Sequence, residues 1–276
     1  MYYNKLLVYR HKYGKIKYYI SSGSEQLPLY TEKDEFMQYR LDKLVCEVAG
    51  VSRTDAKKLI SKGLVRINGE IIKKPDRKAQ DTDDIVINGR SYTHEKYVYI
   101  MLNKPRGVVS ATEDKNDVTV ADLVKDDFPR RNLFPAGRLD KTSTGFVLLT
   151  DDGTFAHDIL SPKHHVPKKY IITVDSPVTD EVVQAFRDGV TLADGTLLKS
   201  AEIIPSADGL TATVILHQGV YHQIKRMLGV FDIGVNTLHR ISIGGLEMPR
   251  DLQPGRYIKL DRNQVEMIAG SLFTKN

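Results

Sequence analysis

Apolar positions follow two different rhythms along this chain. Leu41, Leu44, Val45 and Val48 recur at i, i+3, i+4 and i+7, one stripe of an amphipathic helix, and Gly50 ends it. Ser52 then stands as an N-cap with Asp55 three positions on. Ala56, Leu59 and Ile60 form the inner face of a second helix, and Gly63 supplies its left-handed end. Leu64 to Ile67 and Glu70 to Ile72 flank Asn68-Gly69, the strongest short hairpin signal. Beyond Tyr97 the strand rhythm dominates. Val98 to Leu102 and Phe146 to Leu149 are short apolar runs, the second opened by Gly145 and closed by an Asp152-Gly153 turn signal, and Thr211 to His217 is rich in β-branched residues. Thr179 to Asp188 reads as a capped helix ending at Gly189, and Asp261 to Gly270 as a terminal helix with Gln264 completing a capping box.

These patterns predict an α+β protein: a small helix-helix-hairpin module over 37–90, a polar, aperiodic linker over 91–96, and a larger domain over 97–276. The larger domain is expected to build on a mostly antiparallel sheet with flanking helices. Residues 1–36 mix tyrosines with lysines, show no period and carry no stripe able to repay ordering entropy. They are expected to be a disordered extension or to lie upstream of the native start, with Met37 placed to begin the first module. The alternative is a basic arm formed by Lys5, Arg10, Lys12, Lys15 and Lys17.

Composition narrows the class. The chain has 276 residues, enough for one large and one small domain, and 41% of them are hydrophobic. No apolar run approaches the roughly 20 residues that span a bilayer, and Leu6 to Tyr9 is too short for a secretory core of about 7 to 15 residues, so a cytoplasmic protein is expected. The single cysteine, Cys46, lies beside an apolar helix stripe and suits packing rather than redox chemistry. Net charge is +5, yet residues 40 to 78 alone carry eleven Lys or Arg against five Asp or Glu. Within them Arg53 and Lys57, like Lys58 and Lys62, are spaced i and i+4 on the outer face of the second helix, an electrostatic footprint for phosphates.

The segment from Gly137 to Gly153, GRLDKTSTGFVLLTDDG, sets a carboxylate, Asp140, on a loop ahead of a strand. It closely resembles the GRLD signature of pseudouridine synthases of the ribosomal small-subunit type. Asn103-Lys104-Pro105-Arg106-Gly107 resembles that family's L-N-K-P-x-G turn. Lys168-Lys169-Tyr170 at a strand start and Tyr221-His222-Gln223-Ile224-Lys225-Arg226-Met227-Leu228 at a helix start fall where the family has its other motifs. The helix, helix, hairpin order of the first module resembles the S4 RNA-binding domain. The resemblance covers residues 39 to about 270.

The resemblance implies a role for each of these residues. Asp140 is the catalytic residue, Lys225 its cationic partner, and Tyr170 the active-site aromatic that stacks on the extruded base. Leu228 forms a pocket wall, Arg226 meets phosphate, and Arg138 contacts a phosphate or holds the base out of its stack. Breaking the bond from uracil N1 to ribose C1′ and rejoining through C5 needs no external redox or energy source, so no cofactor is expected. An ionised Asp suffices, attacking C1′ or taking a C2′ proton. Burial alone would favour the neutral acid, whereas a cation within about 4 to 6 Å favours the carboxylate. His157, His164, His165 and His222 lack the spacing and Cys partners of a zinc site, so no metal is expected and RNA or structural contacts are favoured.

Ser161 to His165 and the Tyr-His-Gln-Ile-Lys-Arg-Met segment resemble the small-subunit branch. The expected partner is therefore 16S rRNA in a partly assembled small subunit, bound by a monomer. Alternatives are a 23S rRNA synthase of the same family and a non-catalytic S4-type assembly factor, against which the presence of Asp140, Tyr170 and Lys225 argues. A glycosidase would want paired carboxylates, and no second one is evident.

Overall fold

A computed structural model describes residues 5–10, 16–22, 25–29, 38–80, 83–92, 94–129, 131–161, 163–164 and 166–270, with only the backbone described before residue 30. Met37, Lys12, Lys15, Pro162 and His165 lie outside the described residues. The chain divides into two compact units, 1–94 and 95–276.

In the first unit the helices Leu41–Ala49 and Arg53–Ser61 form where the i, i+3, i+4 stripes fall, with Leu41, Leu44, Val45, Ala56 and Ile60 fully buried. Gly50 closes the first helix at φ 65°, and the Ser52 side chain accepts a hydrogen bond from Asp55 N at 3.1 Å to open the second. A four-stranded antiparallel sheet comes next in the order Glu70–Ile72, Val65–Ile67, Ile85–Ile87, Arg90–Tyr92. Both of its hairpins turn on Asn-Gly with positive φ at each residue: 50° and 83° at Asn68-Gly69, 51° and 79° at Asn88-Gly89. The second turn corrects the linker reading. Residues 90 to 92 are a strand, and His94 is buried with its ring 4.7 Å from that of Tyr39, so the polar stretch begins as part of the small unit.

The backbone before residue 30 also departs from expectation. Lys5–Arg10, Ile16–Ser22 and Glu25–Leu29 form an antiparallel three-stranded sheet instead of a disordered extension. Their Val, Ile and Tyr content favours extended backbone, and Pro28 stands on an edge strand, where proline is tolerated.

The second unit is built on a sheet ordered Glu202–Pro205, Thr211–Leu216, Lys168–Val174, Val235–Ile243, Thr144–Thr150, Tyr99–Lys104, Tyr257–Lys259. Every neighbouring pair is antiparallel except Thr144–Thr150 with Val235–Ile243. The central strands are apolar on both faces because both faces are covered. Ile100, Leu102, Val147 and Leu149 point into one core with the helices Asp180–Asp188 and Gln223–Gly229. Met101, Phe146 and Leu148 point into another with Gly153–Leu160 and Arg262–Ala269. The helix Gly153–Leu160 stands where only a turn was expected. Asp152 is its N-cap, accepting from Phe155 N at 3.0 Å, so the Asp-Gly signal opens a helix.

Candidate active site

The loop carrying Asp140 is fixed by the strand after it, a serine before it and a lysine beneath it. Gly145 has φ 100°, and a Cβ there would stand 2.3 Å from the carbonyl oxygen of Arg240, so only glycine lets the two parallel strands meet at this point. Upstream, the Ser110 hydroxyl donates to Leu139 O at 2.8 Å while Leu139 N donates back to it at 3.0 Å. Beneath, Lys104 is fully buried, and its ammonium donates to the carbonyls of Ser143 (2.7 Å), Pro105 (3.2 Å) and Lys141 (3.4 Å), using all three of its donors. Burial pushes its pKa down to about 8, against the raising effect of Asp140 and with a further lowering by Arg240.

At the loop tip, Asp140 Oδ2 accepts a hydrogen bond from Lys225 Nζ at 3.0 Å, and Oδ1 lies 3.1 Å from His222 Nε2. Lys225 projects from the first turn of the helix Gln223–Gly229. His222, just ahead of that helix, adopts a left-handed backbone at φ 51° and ψ 31°. Its ring stacks on Tyr221 at 3.8 Å between centroids and 16° between planes, and Tyr221 is 74% exposed.

These residues border a pocket of about 870 Å³. Tyr170, 8% exposed, forms one wall, and its strand neighbour in register is Arg240. Arg240 is 3% exposed. Its Nε donates to Phe146 O at 2.6 Å, and its buried Nη2 has no partner among the described residues. Lys168, also on the pocket wall, donates to Val166 O at 2.7 Å and Ile159 O at 3.1 Å, and burial, aided by Arg240, pushes its pKa down to about 8. An acidic tip therefore faces an aromatic wall backed by buried cations, with room for a nucleoside between them.

The structure brings together Asp140, Lys225 and Tyr170, with Arg138 exposed at the same pocket. Within the same unit, Leu228 and Arg226 do not line the pocket. Leu228 is fully buried in the core, and on that face the pocket wall is Ile224, one turn earlier. Arg226, one helical step from Lys225, pairs with Asp194 Oδ2 at 2.9 Å. Arg53, Lys57 and Lys58 lie exposed on the second helix of the other unit, and Lys62 lies exposed at its C-cap. Arg53 there donates to the buried carboxylate of Asp42 at 3.3 Å, and Lys58 to Asp55 at 3.3 Å.

Sequence reasoning missed His222 at Asp140, Lys104 beneath it, and Lys168 and Arg240 behind the pocket. Lys104 and His222 sat inside recognisable motifs, so position was legible while contact was not. His164 Nδ1 lies 2.8 Å from Asp158 O, and among the described residues no three His, Cys, Asp or Glu cluster as metal ligands.

A carboxylate at an aromatic-walled pocket on a mixed sheet, together with a helix-helix-hairpin unit, belongs to a chain that comparison places among RNA-modifying isomerases. The model of RNA pseudouridylate synthases matches residues 98–229 and that of the S4 domain residues 40–86. The chain belongs to the RNA pseudouridine synthases. It is similar to the ribosomal small subunit pseudouridine synthase A of Escherichia coli, 36% identical over 230 residues that cover 83% of this chain and 99% of the relative. An uncharacterised RNA pseudouridine synthase of Bacillus subtilis is 37% identical over 233 residues, 83% and 98% of the two chains. A crystal structure of a pseudouridylate synthase aligns with a TM-score of 0.59 at 35% identity, over 83% of this chain and 99% of that one.

Proposed function

We propose that this synthase isomerises one uridine of 16S rRNA, acting as a monomer on a partly assembled small subunit in the cytoplasm. The observation that carries the chemistry is the Asp140 carboxylate at the pocket, held 3.0 Å from the Lys225 ammonium. The small-subunit relatives of Escherichia coli and Haemophilus influenzae, each 36% identical, support the choice of RNA.

In this reading the target uridine is turned out of its helix into the pocket, where Tyr170 stacks on the uracil. The Lys225 ammonium, donating to Asp140 Oδ2 at 3.0 Å, holds the carboxylate at the reacting sugar. The carboxylate then attacks C1′ or removes the C2′ proton. Either route breaks the N1–C1′ bond, after which the uracil turns and C5 bonds to C1′, displacing the Asp140 carboxylate in the first route and with the proton returned from Asp140 to C2′ in the second. The C5 proton leaves with help from the Tyr170 hydroxyl, and N1 ends protonated. Arg138 steadies the RNA backbone at the rim, while Lys57 and Lys62, with Arg53 and Lys58, meet phosphates from the S4 unit.

Mapping pseudouridine in the rRNA of cells lacking this protein tests the substrate. Loss of a single 16S site is expected, restored by the wild-type chain and not by Asp140→Asn. Loss from 23S rRNA instead would move the assignment to the large subunit. An Asp140→Asn protein that restores the site would remove Asp140 from the mechanism, and one that loses RNA affinity more than a few-fold would make its role binding.

A further inference from the structure

Tyr221 is the feature beside the pocket that the isomerisation does not use. It is 74% exposed, although aromatic rings dominate cores when they can be buried. One face of its ring is covered by His222 at 3.8 Å and 16°, and its exposure leaves the other face open. His222 in turn reaches Asp140 Oδ1 at 3.1 Å, so the open face sits two short contacts from the carboxylate. The pair is held there by a left-handed His222 backbone, a conformation that histidine adopts more readily than most residues other than glycine, at the entry to the helix that carries Lys225. Both residues border the pocket.

We propose that Tyr221, backed by His222, is a platform on which an unpaired nucleobase next to the target uridine stacks. This deepens the pseudouridine synthase reading and rests on it. The target itself occupies the pocket against Tyr170, so the outer platform takes a neighbouring base. Every base offers a π-face, so the contact tolerates sequence and serves to hold open the gap the target leaves. His222 fixes the platform's position relative to Asp140, which registers the neighbour to the reacting sugar. The stack needs no charge from Tyr221, only its ring.

The chain contains no tryptophan, so Tyr221→Trp places a lone indole on the platform. Titration of that full-length variant with single-stranded poly(U), with saturation followed independently by anisotropy of a labelled portion, should quench the indole emission. Tyr221→Ala should raise the KM for an rRNA transcript about 10-fold, within the range of one base–aromatic stack, and leave kcat within about 2-fold. Tyr221→Phe should restore the wild-type KM.

Unchanged indole emission at saturating poly(U), or a KM for Tyr221→Ala equal to that of wild type, would overturn the platform. A fall in kcat with KM unmoved would do so too, by making Tyr221 a support for His222 alone. Wild-type pseudouridine formation in the same transcript separates these failures from failure of the functional reading, and poly(U) quenching is read without turnover.

Discussion

Lys104 shows how much of this site's geometry hangs on one side chain that never enters the pocket. Its three hydrogen bonds run to the carbonyls of Pro105, Lys141 and Ser143, so they tie the chain just after Asp140 to the end of the strand Tyr99–Lys104. Lys104→Met keeps the length and removes the donors. A loop tip displaced by about 1 Å costs on the order of 10²-fold in rate, so turnover should fall by about that factor with RNA affinity unchanged, in single-turnover assays. The same lysine sets a pH signature. Its folded pKa, like that of Lys168, is about 8, below the usual 10.5. Between pH 8 and 10 the unfolded chain binds more protons at these two positions than the folded one, so they make stability rise with pH there. About one pH unit below 8 both states are essentially protonated and the effect levels off. Denaturant unfolding of Lys104→Met across pH 8 to 10 should show a shallower rise than wild type; an identical slope would remove Lys104 from the account. Asp140, Lys225 and Tyr170 were legible in the sequence because each sits in a short local motif. Arg240 was not, because it reaches the site only through strand pairing, opposite Tyr170 and beside Gly145.

Local chemistry made most elements readable. Ser52 and Asp261 cap their helices with bonds to backbone N–H groups three residues on, and Asn68-Gly69 turns its hairpin. The misses are also local. Asp152-Gly153 serves equally as a turn or as an N-cap with its first helical residue, and only Phe155, Ala156 and Ile159 meeting the sheet decide for helix. The helix Arg53–Ser61 is the element on which RNA affinity can be tested. Arg40, and with it Arg53, holds the pKa of buried Asp42 down to about 2, so Arg53 is tied to the core of its own unit as well as exposed. Lys57 and Lys62 have no ion-pair partner among the described residues, and phosphates should find them first. Replacing both by Ala should reduce the slope of log affinity against log salt by about 0.7 to 0.9 for each phosphate no longer neutralised. Arg53→Ala should in addition destabilise the unit, because it deprives a buried carboxylate of a partner. A double variant with the wild-type salt slope would clear this helix of phosphate binding.

At the scale of the whole chain, the relatives mark which part is additional. Those from Escherichia coli and Bacillus subtilis are matched over 98% or more of their own length by 83% of this chain, so about a sixth of it has no counterpart in them. The S4 match begins at residue 40, immediately before the first buried helix. Strands from Lys5 to Leu29 stand ahead of it as a separate three-stranded sheet, an arrangement the lack of a clear period had concealed. Three strands can be independently stable when they share an apolar face, so an ordered segment here does not imply that the S4 or catalytic cores depend on it. Each of those units has its own fully buried cluster, Leu41, Leu44 and Ile60 in one and Ile100, Leu102 and Phe186 in the other. A chain beginning at Met37 should therefore unfold at the same denaturant midpoint as the full chain and modify rRNA at a rate within a few-fold of it. Hydrogen exchange on the full chain should show the segment before residue 30 opening without the rest. A drop in RNA affinity for the shortened chain, steeper at low salt, would instead make Lys5, Arg10 and Lys17 a basic arm on the substrate, because only an electrostatic contact fades as salt screens it.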